Sequence, residues 1–277
     1  MISKFSIFSY KNHSIFYRTG TVDEAVLAHS FDNDIFYAGI PEYKGDKNAI
    51  VIDVGGHIGT FSIYSILALK AGKVVTLEPN KESFEILARN IKANGLSDQI
   101  TIMHYALSHK NETVKLYLDS ENWGHSITNT SLKNYEEVTA ISLPSLFELQ
   151  KIEVCDLIKF NCEGAEFQVI LSLDAATLRK IKMMIILFHE DLVNGENRKT
   201  LTDVLEQNGF LTRIDYEESQ RGWIIAKNSA FYTPFEHRLI QSRRWLELEV
   251  NKTITNVKRT LVNTNLWNYA KRIIRKV

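Results

Sequence analysis

Cysteine is nearly absent from this sequence of 277 residues, with only Cys155 and Cys162 present. Both lie in one apolar stretch. As a strand at about 3.3 Å per residue they would be on the order of 23 Å apart, beyond the roughly 7 Å Cα limit of a disulfide. They also lack a metal-ligand spacing, so two buried free thiols are expected. No apolar run approaches the roughly 18 residues of a membrane span, and Met1 to Arg18 lacks a signal-peptide core. A cytoplasmic enzyme is therefore expected. Net charge is missing as well, since 33 Lys and Arg balance 33 Asp and Glu. The balance is uneven: residues 236–277 hold ten basic against three acidic residues, a charge of +7, and the remainder carries −7. An acidic body points away from a nucleic-acid-binding core.

What the sequence does contain is centred on Ala49-Ile50-Val51-Ile52-Asp53-Val54-Gly55-Gly56-His57-Ile58-Gly59. An apolar β-branched run reads as a buried parallel strand, a glycine cluster as a tight turn, and Thr60 to Leu67 as a helix start. Glycines suit such a turn because a Cβ would intrude where backbone approaches a ligand. A dinucleotide fingerprint, G-x-G-x-x-G, fails by one glycine, because Val54 stands where the first is needed. The spacing that fits is D-x-G-x-x-x-G, written by Asp53, Gly55 and Gly59 with Gly56 inside it. A second strand, Val74 to Leu77, ends at Glu78, whose carboxylate can accept hydrogen bonds from both ribose hydroxyls of an adenosine-containing ligand.

This combination resembles the class I S-adenosylmethionine-dependent methyltransferases. The resemblance narrows along the chain. V-I-D-V-G-x-x-I-G-T-F, then Ala106-Leu107-Ser108, then D-L-I-K-x-x-x-E-G-A-E from Asp156 to Glu166 are similar to the FkbM-type methyltransferases, over roughly residues 16 to 227. It implies a Rossmann-like α/β fold, a mostly parallel sheet closed by an antiparallel strand, and helices on both faces. It also implies S-adenosyl-L-methionine as cofactor, held by Asp53, Gly55, Gly56, Gly59, Glu78, Asn80, Ala106 and Asn161. Family members of known activity methylate hydroxyl oxygens, often on sugars or polyketides. The implied acceptor is thus a small molecule or glycan, with no nucleic acid. Asn161 departs from the family, which usually has Asp there, and this keeps a non-catalytic cofactor-binding or scaffold protein as the alternative. A nucleotide-dependent oxidoreductase is disfavoured by Val54, and no N-P-P-Y motif supports N-methylation.

In order, residues 3–8 and 14–17 read as a hairpin, followed by a helix toward Phe31 that Thr21 or Asp23 could cap. This N-terminal unit, residues 1–48, is expected to act as a lid or to pack on the domain, 49–230; Tyr37 and Tyr43 precede the core strand. Ser83 to Ala93 reads as a helix stopped by Asn94-Gly95. Strands are expected over 100–107, 113–118, 154–162, 183–189, 211–216 and 222–227, with a helix over 198–207. The polar stretch Asp119 to Tyr135 reads as a long functional loop. The tail, 231–277, spaces Val250, Ile254, Val257 and Leu261, then Leu266 and Ile273, as amphipathic helices with basic residues between. Packing on protein, including self-association, is the first reading of that tail. Contact with an anionic membrane surface through Trp267 and Tyr269 is the second.

Methyl transfer from a sulfonium is an in-line displacement, so it needs alignment and no metal. An alcohol acceptor loses a proton, and a base then helps. His125, His189 and Glu163 are the candidate catalytic residues, with Glu166 a further carboxylate in a helix first turn. His57 is expected to point outward from the loop.

Overall fold

The computed structural model describes residues 5–32, 43, 45–119, 124–218 and 220–232. The chain divides into two compact units, Met1–Phe231 and Tyr232–Val277. The predicted tail helices lie outside the described residues, as do Tyr37, Asn122 and Trp123. Among the described residues, no helix is long and apolar enough to cross a membrane.

The first elements are the hairpin β1 (Phe5–Tyr10) and β2 (His13–Arg18), then α1 (Asp23–Leu27). Val22 precedes α1 without a side-chain cap of its own, but Thr21 Oγ1 accepts from Asp23 N at 3.2 Å, while the Asp23 carboxylate turns to Arg18. β3 (Ile50–Val54), α2 (Thr60–Leu67), β4 (Lys73–Leu77), α3 (Lys81–Ala93) and β5 (Ile100–Met103) follow. These strands read as near-continuous apolar runs because helices cover both faces of a parallel sheet. The Asn80 side chain caps α3 by accepting from Ser83 N, so that helix begins two residues earlier than the pattern suggests.

Residues 100–107 do not form one strand. Met103 O accepts from both Glu78 N and Tyr105 N, the chain turns, and β6 (Ala106–Ser108) joins a separate sheet with β7 (Glu112–Tyr117) and β8 (Tyr135–Ser142). β8 was not legible because charge and aromatics interrupt its alternation. Next come α4 (Leu143–Gln150), β9 (Leu157–Phe160), α5 (Ala165–Leu171), α6 (Ala175–Leu178) and β10 (Met183–His189). The chain then runs through α7 (Arg198–Gln207), β11 (Phe210–Glu218) and β12 (Arg221–Asn228).

The main sheet has the order β11-β12-β10-β9-β3-β4-β5. β5, β4, β3, β9 and β10 are parallel, and β12 pairs antiparallel with both β10 and β11. From β3 the chain winds outward through β4 to β5, then returns to β9 on the other flank. That reversal opens a crevice at the carboxyl ends of β3 and β9, where open α/β sheets bind ligands. Largely buried side chains of β3, β4, β9 and β10 form the core below it.

The N-terminal hairpin packs on α3 through polar contacts. Asn90 Oδ1 accepts from Phe16 N at 2.7 Å, while its amide donates to Phe16 O and Ile58 O. One turn on, Asn94 makes the same two-way bond with Ser14. Residues that cap or flank the helix end thus also serve as the missing strand partner of β2.

Candidate active site

Gly55, after β3, has φ +76, and a Cβ there would stand 1.9 Å from the Asn161 carbonyl oxygen beyond β9. Only glycine lets the two strand ends close to that distance. Gly56 also has no room for a side chain, with the Thr76 methyl 2.2 Å from a would-be Cβ. Both glycines line the cleft, together with His57, Glu78, Ala106 and Asn161. Gly59 sits behind the turn, at the start of α2 and against Leu87.

Asp53 does not reach the cleft. Its fully buried carboxylate accepts from Ser62 Oγ at 2.6 Å and from Lys159 Nζ at 3.0 Å. Lys159 Nζ also donates to the Gly55 carbonyl at 2.8 Å. The pair locks the glycine turn onto β9, so Asp53 shapes the cleft through the turn. Glu78 Oε2 accepts from His57 N at 2.7 Å and Oε1 from Asn80 N at 2.9 Å. Burial pushes its pKa up. Each oxygen keeps a second lone pair for a hydroxyl donor.

At the other end of the cleft, β9 runs into Glu163 and β10 ends at His189. The His189 ring is 1% exposed and sits between two carboxylates: Nδ1 is 3.0 Å from Glu166 Oε1, and Nε2 is 3.5 Å from Glu163 Oε2. Glu166 Oε1 also accepts from His189 N, and Oε2 accepts from Gly164 N. A carboxylate acceptor at Nδ1 places the hydrogen there and leaves Nε2 toward Glu163. Burial lowers the His189 pKa, but Glu166 and Glu163 outweigh it and hold the ring above its ordinary range. Burial raises the Glu163 pKa as well. Arg221, at the start of β12, binds Asp191 through Nε and Nη2 and comes within 3.7 Å of Glu163.

Residues 124–130 close one side. Ser126 pairs with Tyr117, and the Ser126 and Thr128 hydroxyls donate to the Glu163 carbonyl at 2.5 and 3.0 Å. Glu163 is held with φ +49, a conformation disfavoured for a residue with a Cβ. His125 accepts at Nδ1 from Asp119 N at 3.0 Å, so its proton is on Nε2. Burial pushes its pKa down to about 4. His125 therefore presents a neutral N–H to the cleft, a donor where the sequence suggested a base.

A family model described as the methyltransferase FkbM domain matches residues 53–217. The chain belongs to the FkbM methyltransferase family. Its cofactor is S-adenosylmethionine. The methyltransferase sdnD of Sordaria araneosa is 23% identical over 229 residues, which cover 72% of this chain and 82% of that protein. The antimetabolite synthetase AmbE of Pseudomonas aeruginosa is 26% identical over 210 residues, 60% of this chain but 10% of that protein. A crystal structure of an FkbM methyltransferase from Methylobacillus flagellatus superposes with a TM-score of 0.50 at 12% identity. It covers 69% of this chain and 46% of that one, and shares the fold.

Within this FkbM domain the predicted residues divide by what they touch. Gly55, Gly56, Glu78, Ala106, His125, Asn161, Glu163 and His189 line one cleft. Asn80 is drawn away by capping α3 and by a 3.3 Å bond to Glu136. Glu166 stands behind His189. His57 does not point outward: it lines the cleft, with Nε2 3.1 Å from Asp23 Oδ1. Sequence reasoning missed Lys159, Arg221 and the Arg18–Asp23 pair. Lys159 did carry a signal, since it and Asp53 are lone opposite charges in two apolar strands, and the register sets them side by side.

Proposed function

We propose that this methyltransferase moves the methyl group of S-adenosylmethionine to a hydroxyl oxygen of a small natural product, sugar or glycan. The observation that carries the reading is the Glu166–His189–Glu163 cluster at the far end of the cofactor cleft. Glu166 holds the His189 Nδ1–H, which orients the ring and leaves Nε2 as proton acceptor for an incoming hydroxyl. Glu163, 3.5 Å from that nitrogen, gives the hydroxyl a second partner. In the displacement the S–CH3 bond breaks, the O–CH3 bond forms, and the hydroxyl proton passes to His189. S-adenosylhomocysteine leaves with the sulfur electron pair. Val26, Phe61, Ile127, Leu187 and Trp223 give the cleft apolar walls, which suits the aglycone or carbon frame of an acceptor and limits water.

The test is a panel of hydroxylated acceptors, offered as sugars, glycans and polyketides with labelled methyl donor and the product bond identified by mass spectrometry. An O-methyl product whose formation falls in His189→Ala, with cofactor affinity intact, supports the reading. A product methylated on nitrogen or carbon overturns it.

A further inference from the structure

The polar stretch Asp119 to Tyr135 supplies none of the groups that take the proton or the methyl, yet its residues from Gly124 to Thr130 form a strap beside Glu163. The strap stands on the small sheet. Ser126 exchanges both backbone hydrogen bonds with Tyr117 at the end of β7, at 2.9 and 3.1 Å, and Ile127 packs on the apolar cluster of Ala106, Leu116, Val138 and Ala140. Its footing is therefore fixed.

Hydrogen-bond arithmetic directs the Ser126 hydroxyl. Its residue is 1% exposed, and its oxygen accepts from Thr128 N and Asn129 N, both at 3.1 Å, which uses the two lone pairs. The single hydrogen is left for the Glu163 carbonyl, at 2.5 Å. Thr128 Oγ1 donates to the same carbonyl at 3.0 Å, and it comes so close because Gly164 follows, where a Cβ would stand 2.4 Å from that hydroxyl oxygen. Both lone pairs of the carbonyl are then filled. Glu163 keeps φ +49 under this double bond, a conformation that a residue with a Cβ holds only when its surroundings impose it. From that backbone its carboxylate lies 3.5 Å from His189 Nε2. A Cβ at Gly124 would stand 3.2 Å from Glu163 Oε2, so glycine leaves that face of the carboxylate uncovered.

We infer that Ser126 and Thr128 are positioning residues for the acceptor: their hydroxyls hold Glu163 in the left-handed conformation that sets its carboxylate beside His189 Nε2, and Gly124 leaves room there for the acceptor hydroxyl. The inference rests on the reading of His189 and Glu163 as the partners of that hydroxyl, and names what aims them. Without the two hydroxyls the backbone returns to an unstrained conformation and carries the carboxylate away from the ring. The small sheet then serves the reaction through the strap that stands on it. The charges that face His189 are Glu163 and Glu166 from the corner between β9 and α5, and Arg221 from β12, itself bound to Asp191. Of these, Glu163 is the one bonded to the strap.

The experiment follows the His189 imidazole by NMR titration of the full chain labelled in histidine, with S-adenosylhomocysteine affinity measured by calorimetry on the same samples. His189→Gln assigns the signal. The double variant Ser126→Ala/Thr128→Val should lower the His189 pKa by roughly one unit, as expected when an opposite charge leaves the neighbourhood of a ring. Its affinity for S-adenosylhomocysteine should stay within about twofold of wild type. Thr128→Ser keeps the hydroxyl and should titrate as wild type does. Thr128→Val alone is the milder change, decides the matter if the double variant does not fold, and should move His189 in the same direction by less. Glu163→Gln should itself lower the His189 pKa, and adding both strap substitutions to it should lower it no further, because the strap acts through Glu163. An unmoved His189 in the folded strap variants, a further fall on top of Glu163→Gln, or a loss of about tenfold in S-adenosylhomocysteine affinity overturns the inference. These measurements need no acceptor, so the strap stands or falls on the titration, whereas the O-methyl reading falls on the product bond.

Discussion

Between Asp53 and Gly59 the glycine-turn end of the cleft comes from one stretch of chain, whereas Glu163, His189 and Arg221 join the cleft from β9, β10 and β12. The first end is made chiefly of backbone: glycines, a helix start and the His57 N–H that fixes Glu78. The second is made of charged side chains held by one another. One residue at each end, His57 with φ +51 and Glu163 with φ +49, adopts the left-handed region without being glycine. At the glycine-turn end this strain is fixed by the bond to Glu78, and at the other by two hydroxyls on the Glu163 carbonyl. A backbone site is specified by spacing. A side-chain site is specified by which strand ends meet.

The comparison breaks first at the element both ends share. Asp53→Ala leaves Lys159 charged and 8% exposed without its partner, which should cost about 3–5 kcal/mol. Denaturant unfolding of the variant measures this, and a loss below about 1 kcal/mol would mean that the turn is held some other way. His189→Ala separates the two ends. Turnover should fall roughly 10²–10⁴-fold, the range of a lost general base, with S-adenosylhomocysteine affinity unchanged. Gly55→Ala does the reverse, because a Cβ 1.9 Å from the Asn161 oxygen must open the glycine-turn end. Cofactor affinity should drop by roughly tenfold or more, given about 1–3 kcal/mol for overpacking.

A smaller effect sharpens the side-chain end through pH. His189 is raised above its ordinary 6.5, so it is protonated and unable to act as base until pH rises through that higher value. The rising limb of kcat/KM should therefore lie above pH 6.5. Glu166→Gln removes a negative charge that stabilises the protonated His189 ring, so the limb should move to lower pH. A limb that stays in place would assign it to Glu163, whose own pKa is raised, or to the acceptor. The smallest effect is expected for Thr128→Val, which removes one of two hydroxyls on the Glu163 carbonyl and should cost about 1 kcal/mol of stability.

Much of the fold was legible because its signals are local. The run Ile50 to Val54, the glycine spacing, and Glu78 at the next strand end each sit within a few residues of one another. Met183–His189 was readable end to end as an apolar strand. The reading went wrong where one segment serves two partners: at His104-Tyr105 the apolar pattern continues while Met103 O, shared by Glu78 and Tyr105, turns the chain into another sheet. Asn80 followed the cofactor acid in sequence and was placed with it, but a short amide ahead of a helix is drawn to the free N–H of Ser83. His125 was legible as a candidate and not as a donor, since its tautomer depends on Asp119 N.

By itself, the sequence determined the class of fold, the glycine turn and the carboxylate of Glu78 at the end of the next strand, because turn geometry and strand periodicity are short-range properties of the chain. Only the tertiary structure decided that Asp53 faces Lys159, that Glu166 stands behind His189, and that Asp23 orients His57. Those pairings join residues 106, 23 and 34 positions apart. They form because a buried charge or imidazole must find its partner wherever the packed strands bring one within reach.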